Sequence, residues 1–138
     1  MKWLSDFVHG YKEDSYVVAE VWEGFTAMSK YYESGVDSLF NFAFSQETGV
    51  IAKTLGFSKS KNAAREFGAA METVDTKLSS ISENAIDAPF FTNHDTARAS
   101  GFFNRDSDKI KMAGALNLFM SGNVFVYYGE EIGMSGSG

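Results

Sequence analysis

The sequence contains no cysteine and only one proline among its 138 residues. The absence of cysteine excludes a disulfide framework, a zinc site built from thiolates and a cysteine nucleophile. It does not identify a cellular compartment, and the sequence leaves the localisation open.

Basic residues and long apolar runs are also scarce. Twelve Lys and Arg against eighteen Asp and Glu give a net charge of −6, which argues against binding to nucleic acid or to anionic lipid. The longest apolar runs, such as residues 124–128, fall far short of the roughly 20 residues that a membrane span needs. Residues 1–6 place an acid where a signal peptide carries apolar residues. We therefore expect a soluble, acidic protein without a membrane partner.

What the sequence does contain is enough apolar material for one core. Hydrophobic residues make up 44% of the chain and aromatic residues 15%. A complete (β/α)₈ barrel needs about 250 residues and is excluded by length. No repeat, low-complexity tract or linker divides the chain, so we predict a single domain over residues 1–138.

Short apolar runs alternate with helical patterns along the chain. Strands are predicted at residues 16–22, 38–42, 88–92 and 123–127. Helices are predicted at about residues 2–9, 46–57, 61–81 and 107–121, and residues 24–37 as mixed loop with a short helical piece. Gly10 is expected just past the end of the first helix, and Ser45 as the cap of the second. The alternation implies an α/β fold with about four parallel strands joined by right-handed crossovers.

Polar side chains follow three of the predicted strands, where parallel α/β folds collect their functional groups. Glu20 ends the first apolar run beside Trp22, and a carboxylate desolvated there favours the protonated form that a general acid needs. From position alone, an ion pair or a helix cap is the favoured explanation of Glu20.

The third predicted strand leads into Asn93-His94-Asp95, and the fourth into residues 127–131. Asn93-His94-Asp95 is consistent with a helix cap, a substrate clamp or a metal ligand set. The metal interpretation is the weakest, because the other histidine, His9, is explained by its position near the end of a helix.

Considered together, Glu20 and Asp95 indicate more than either does alone. The first and third strands of a parallel sheet lie about 10 Å apart, and in a closed barrel their side chains lean toward the axis. A pair of acids at such a separation suits glycoside hydrolysis. Aromatic residues near the strand ends suit stacking on sugar rings, although most aromatic residues simply belong to the core.

Three segments resemble the α-amylase family of glycoside hydrolases in order and spacing. Val18-Ala19-Glu20-Val21-Trp22 is similar to the end of the fifth barrel strand in that family, and Phe91-Thr92-Asn93-His94-Asp95 to the segment after the seventh. Residues 122–134 resemble the eighth strand and its loop. The resemblance covers essentially the whole chain and implies a partial (β/α)₈ barrel, strands five to eight, acting on α-glucans.

The resemblance also implies a role for individual residues. Glu20 corresponds to the general acid/base and Asp95 to the acid that stabilises the transition state. His94 corresponds to a substrate-binding residue, and Trp22 to the wall of an aglycone subsite. The substrate-binding group is completed by Asn93 and Arg98, which support the cluster. Tyr128 and Glu130 are expected to be structural.

The sequence departs from the family pattern at one essential point. Family members carry a nucleophilic Asp in a G-x-R-x-D segment after the fourth strand, and no such segment is present. Asp37 follows Gly35-Val36 but lacks the Arg. The first four strands and the inserted region that supplies calcium ligands in the family are also expected to be missing. We therefore expect an inactive half-barrel with no cofactor of its own.

A half-barrel exposes two open sheet edges and an apolar inner face, so we expect it to self-associate. Two other functions stay open. One is a non-catalytic sugar-binding or assembly module derived from the same fold. The other is a structural unit of a different α/β fold, in which Glu20 and Asp95 are only caps.

Overall fold

A computed structural model describes residues 1–57 and 60–136, and its centre is a parallel sheet. The strands, paired in chain order, are β1 (Val18–Ala19), β2 (Ser38–Asn41) and β3 (Ile86–Pro89). The register places Ala19 beside Leu39, and Leu39 beside Asp87. The carboxyl ends of all three strands therefore meet at one edge of the sheet, as the sequence predicts.

The first and the fourth predicted strands are much shorter than expected, and the third predicted strand is shifted along the chain. β1 has only two residues and pairs with β2 on one side. β3 begins before residue 88 and ends at Pro89, the register partner of the last residue of β2. The predicted fourth strand is reduced to one parallel bridge between Phe90 and Phe125. It lies at the other edge of the sheet, where β3 is its one partner among the described residues.

Helices pack beside the sheet in alternation with its strands. They are α1 (Lys2–Tyr11), α2 (Phe25–Tyr32), α3 (Val50–Ala52), α4 (Ala63–Ile81), α5 (Ala99–Phe102) and α6 (Ser107–Leu118). The periodic pattern of residues 61–81 is confirmed, since α4 buries Val74 and Leu78. Asp106 caps α6 by accepting hydrogen bonds from the backbone N–H groups of the first turn. The eight residues of α2 show that the segment predicted as mixed loop contains a full helix.

The predicted helix over residues 46–57 is wrong in its start and its cap. Gly49 is the N-cap of α3, while the Ser45 hydroxyl donates to the Phe42 carbonyl oxygen at 3.1 Å. A Cβ atom on Gly49 would lie 2.6 Å from the carbonyl oxygen of Phe44, so only glycine fits this close approach. Lys53–Phe57 follow α3 and contain a kink, where Gly56 has a φ of 111°.

The first helix also differs from its prediction. It passes through Gly10 and ends at Tyr11, with Lys12 as its C-cap. It buries Ser5, whereas Trp3 and Phe7 stack on each other at 5.6 Å and remain exposed. Among the described residues, no helix combines the length and the apolar character that a membrane crossing requires.

The two faces of the sheet bury different side chains. Leu39 points into the main core with buried residues of the helices, among them Met28, Ile51, Val74, Leu78 and Ala113. Phe40 points to the opposite face, because successive residues of a strand alternate. There it packs edge to face with Phe90 and Phe125, at centroid distances of 5.6 and 4.8 Å. This second cluster lies directly below the carboxyl ends of the strands.

Candidate active site

Glu20 follows β1 directly and is exposed. The prediction that its carboxylate is desolvated is wrong for this chain. The reason is the shortness of β1, which leaves Glu20 at the outer edge of the sheet with neighbours on one side only. Trp22 is also exposed, and its ring stacks on Phe42 with centroids 4.8 Å apart. One face of the indole therefore remains open to solvent.

The loop after β3 is fixed by its own polar side chains. The Asn93 side-chain oxygen accepts the N–H of Asp95 at 3.1 Å, and the Asn93 N–H donates to the Thr96 hydroxyl at 3.2 Å. His94 Nε2 lies 3.4 Å from an Asp95 carboxylate oxygen, and both side chains are largely exposed. Asn93 therefore shapes the turn that presents His94 and Asp95.

One cavity brings together residues of all three segments that resemble the α-amylase family. It has a volume of about 230 Å³ and contains Glu20, Asn93 and His94 in its wall. The rest of its lining consists of Phe40, Phe90, Thr92, Phe125, Val126 and Tyr127. We call it the Glu20–His94 cavity. Asp95 lies next to His94, but neither it nor Trp22 is among the residues that line this cavity.

Arg98 is placed differently from the other predicted site residues. Its side chain is buried, and Nη1 donates to the carbonyl oxygen of Tyr128 at 2.6 Å. The same nitrogen lies 3.7 Å from Glu130 Oε1. Sequence reasoning did not find these contacts, because the partners lie 30 or more residues apart.

Glu130 is a largely buried acid beside this arginine. Burial raises the pKa of its carboxyl, while Thr92, the backbone N–H of Ala99 and Arg98 favour the ionised form. The placement between Arg98 and α5 agrees with a structural role. Thr92 and Tyr127 are the polar cavity residues to which sequence reasoning assigned no role. Their positions directly after the apolar runs 88–91 and 123–126 were the available signal.

The opposite end of the sheet carries a separate polar contact. His9 Nε2 lies 3.0 Å from the Asp37 carboxylate, which also accepts the backbone N–H of Val17 at 2.6 Å. This contact joins α1 to the amino ends of β1 and β2. Asp37 therefore lies far from the Glu20–His94 cavity along the strands and has a visible structural role.

We searched the described residues for side chains that could bind a metal ion together. Within residues 1–57 and 60–136, no three His, Asp or Glu side chains cluster closely enough to hold one.

Comparison with known proteins decides the family. The sequence model of the family described as "Alpha amylase, catalytic domain" matches residues 1–138. The chain belongs to the α-amylase family. It is 34% identical to α-amylase 3 of Dictyoglomus thermophilum, aligned over 99% of this chain and 26% of that protein.

Solved structures of the α-amylase family confirm the fold. Amy13B of Eubacterium rectale superposes with a TM-score of 0.92 at 46% identity, covering 99% of this chain and 27% of that one. The α-amylase from H. orenii gives a TM-score of 0.77 at 34% identity, with the same coverage. The chain therefore forms part of a (β/α)₈ barrel and spans about a quarter of the length of these relatives.

Proposed function

We propose that the chain is the C-terminal half of the catalytic barrel of a retaining glycoside hydrolase that acts on α-glucans. The Glu20–His94 cavity carries this proposal, because it joins the loop after β1 to the loop after β3 at the carboxyl edge of the sheet. The similarity to α-amylase 3 of D. thermophilum supports the class of substrate.

In the proposed reaction, Glu20 protonates the glycosidic oxygen and then removes a proton from the attacking water. Asp95 stabilises the positive charge that develops on the sugar ring, and His94 hydrogen-bonds the same ring. Asn93 orients Asp95 through the 3.1 Å hydrogen bond to its N–H. Trp22 offers its exposed indole face to the leaving sugar.

The proposed reaction also needs a nucleophile that this sequence does not contain. A retaining mechanism proceeds through a covalent glycosyl intermediate on a second carboxylate. No G-x-R-x-D segment is present among the 138 residues. We therefore infer that residues 1–138 alone bind sugar without hydrolysing it.

A first experiment tests the chain by itself. Maltoheptaose is incubated with the purified chain and with the Glu20→Gln variant, and reducing ends are counted. We expect no release from either, together with weak binding in calorimetry that His94→Ala reduces. Hydrolysis that Glu20→Gln abolishes would contradict the inferred inactivity. Binding without turnover in a longer protein would instead favour a non-catalytic sugar-binding module.

A second experiment tests the catalytic roles. The chain replaces its counterpart in α-amylase 3 of D. thermophilum, which supplies the rest of the barrel. We expect hydrolysis of maltoheptaose that is abolished by Glu20→Gln and by Asp95→Asn. Glu23→Gln, at an exposed acid three residues from Glu20, is the matched control and leaves the rate unchanged. A folded chimera that is inactive, or whose activity survives Glu20→Gln, would overturn the proposal.

Self-association is a further part of the proposal. The outer edge of β1 and the edge beyond Phe125 have no strand partner among the described residues. Large apolar side chains are exposed, among them Trp3, Phe7, Phe119 and Ile132. Unpaired edges and apolar surface both favour contact with another protein surface, and in the isolated chain that surface is a second copy.

A further inference from the structure

Arg98 contacts residues 127–136 through both its side chain and its backbone N–H. Its guanidinium donates to the Tyr128 carbonyl oxygen and lies beside the Glu130 carboxylate. Its backbone N–H donates to the carbonyl oxygen of Gly136 at 3.3 Å. Hydrogen bonds from a charged donor are stronger than neutral ones, so Arg98 joins this segment firmly to the loop after β3.

The same guanidinium also packs on two aromatic rings. Its central carbon lies 4.4 Å from the centroid of the Tyr127 ring and 4.7 Å from that of Tyr128. The two rings pack edge to face, with centroids 4.7 Å apart. A cation is attracted to the face of an aromatic ring, and the planar arginine head stacks there better than a lysine ammonium. The position of the Tyr127 ring is therefore set from one side by Arg98.

Tyr127 links this cluster to the Glu20–His94 cavity. Tyr127 lines that cavity and also a neighbouring one of about 220 Å³, which Arg98 lines together with Asn93 and His94. Arg98 itself is not among the residues of the Glu20–His94 cavity, and only 8% of its surface is exposed. Its guanidinium is occupied by a carbonyl oxygen, a carboxylate and two rings, so Tyr127 is the group through which Arg98 reaches the cavity.

We propose that Arg98 is a positioning residue that fixes Tyr127 as one wall of the Glu20–His94 cavity. Tyr127 then becomes an additional ligand contact, and Arg98 acts on the ligand only through it. The ligand part of this inference rests on the proposed function. The role differs from the direct substrate contact that the resemblance implies for Arg98.

A double-mutant cycle with maltoheptaose tests the coupling in the 138-residue chain. We expect Arg98→Ala and Tyr127→Ala each to weaken binding about tenfold, and the double variant to bind no more weakly than Tyr127→Ala alone. Arg98→Lys retains the charge but not the planar head, so it falls between the parent and Arg98→Ala. Arg65→Ala, an exposed arginine on α4, is the matched control and leaves binding unchanged. A full tenfold loss from Arg98→Ala in the Tyr127→Ala background would show direct sugar contact and overturn the proposal.

Nuclear magnetic resonance decides the positioning role without any sugar. We expect the Arg98 Nε–H resonance to carry a ring-current shift that decreases in Tyr127→Leu, where the Tyr128 ring remains. The His94 ring resonances are expected to move in Arg98→Lys and Arg98→Ala but not in Arg65→Ala. Unmoved Tyr127 and His94 resonances in both Arg98 variants would refute positioning.

If the parent chain binds no maltoheptaose, the proposed function fails while this spectroscopic test still decides. If Arg98→Ala does not fold, Arg98→Lys and Tyr127→Leu complete both tests.

Discussion

Asp87 is a buried acid on β3 whose ionisation should destabilise the fold. Its Oδ2 accepts a hydrogen bond from the Asn41 side-chain amide at 3.0 Å, while Oδ1 is buried without a hydrogen bond of normal geometry. Burial raises the pKa of Asp87 from its usual 3.8 to about 6, against the opposing effects of Asn41 and the Ala88 N–H. The nearby Asp75 adds to the increase. The ionised carboxylate is thus poorly compensated at neutral pH.

The pKa difference gives the size and sign of the effect. A difference of about two pKa units corresponds to about 3 kcal/mol between the two protonation states. The folded state binds this proton more tightly than the unfolded state does. The stability that Asp87 contributes is therefore complete below pH 4 and is lost as the pH rises to about 6. Asp87→Asn removes the charge and keeps an oxygen for the Asn41 amide.

We expect Asp87→Asn to be more stable than the parent by up to about 3 kcal/mol at pH 8, with the difference vanishing below pH 4. Urea unfolding followed by circular dichroism, at one-unit steps between pH 4 and pH 8, measures this difference. Asp6→Asn, at an exposed acid on α1, is the control and changes stability by less than about 0.5 kcal/mol throughout. A variant that is less stable than the parent at pH 8, or a difference that does not depend on pH, would refute the reasoning.

Four other predictions follow, three from local geometry and one from the exposed surface of the isolated chain. Asp37→Ala should lower the free energy of unfolding in urea by about 1–3 kcal/mol, because the part-buried His9 ring and Val17 N–H lose their acceptor. Gly122→Ala should cost at least about 2 kcal/mol, since Gly122 has φ 92° and a Cβ atom there would lie 2.2 Å from the Asp87 carbonyl oxygen. Gly68→Ala, in the middle of α4 with open space around it, should instead stabilise by about 0.5–1 kcal/mol. The isolated chain should form dimers or larger species in light scattering. A contact with a micromolar Kd would be almost fully formed at a protein concentration of about 100 μM, so a stable monomer at that concentration would count against self-association.

The sequence predicts where the functional residues lie better than it predicts their surroundings. The position of Glu20 and His94 at one edge follows from the parallel strands, because carboxyl ends of such strands always meet. The exposure of Glu20 depends on how far β1 extends beside β2, which no pattern within residues 16–22 reveals. The first residue of α3 also depends on contacts that the sequence does not reveal. Ser45 has a side chain that can cap a helix, but the close approach of Gly49 to Phe44 determines where α3 begins.

Contacts between distant segments account for the other differences. The resemblance implies a substrate-binding role for Arg98 and a structural one for Glu130, but only the fold shows that the two side chains lie next to each other. The spacing of Trp3 and Phe7 correctly indicates a helix, yet the helix buries Ser5 instead. Periodicity indicates that a helix has an apolar face, but the face that packs against the core depends on the neighbouring elements of the fold.

The exposure of Glu20 leads to a last prediction about the proposed enzyme. Catalytic carboxylates work in sites from which water is excluded, and the described residues leave Glu20 open to water on its outer side. The rest of a barrel, beginning with a strand beside β1, has to exclude water from Glu20.

Carbodiimide coupling of an amine nucleophile, followed by mass spectrometry, measures the access to each carboxylate. In the isolated chain we expect Glu20 to react as fast as the exposed Glu23. In the chimera with α-amylase 3 of D. thermophilum, Glu20 should react several times more slowly than Glu23. An equal ratio of the two rates in both proteins would mean that the rest of the barrel does not cover Glu20, and the acid/base role proposed for it would lose its physical basis.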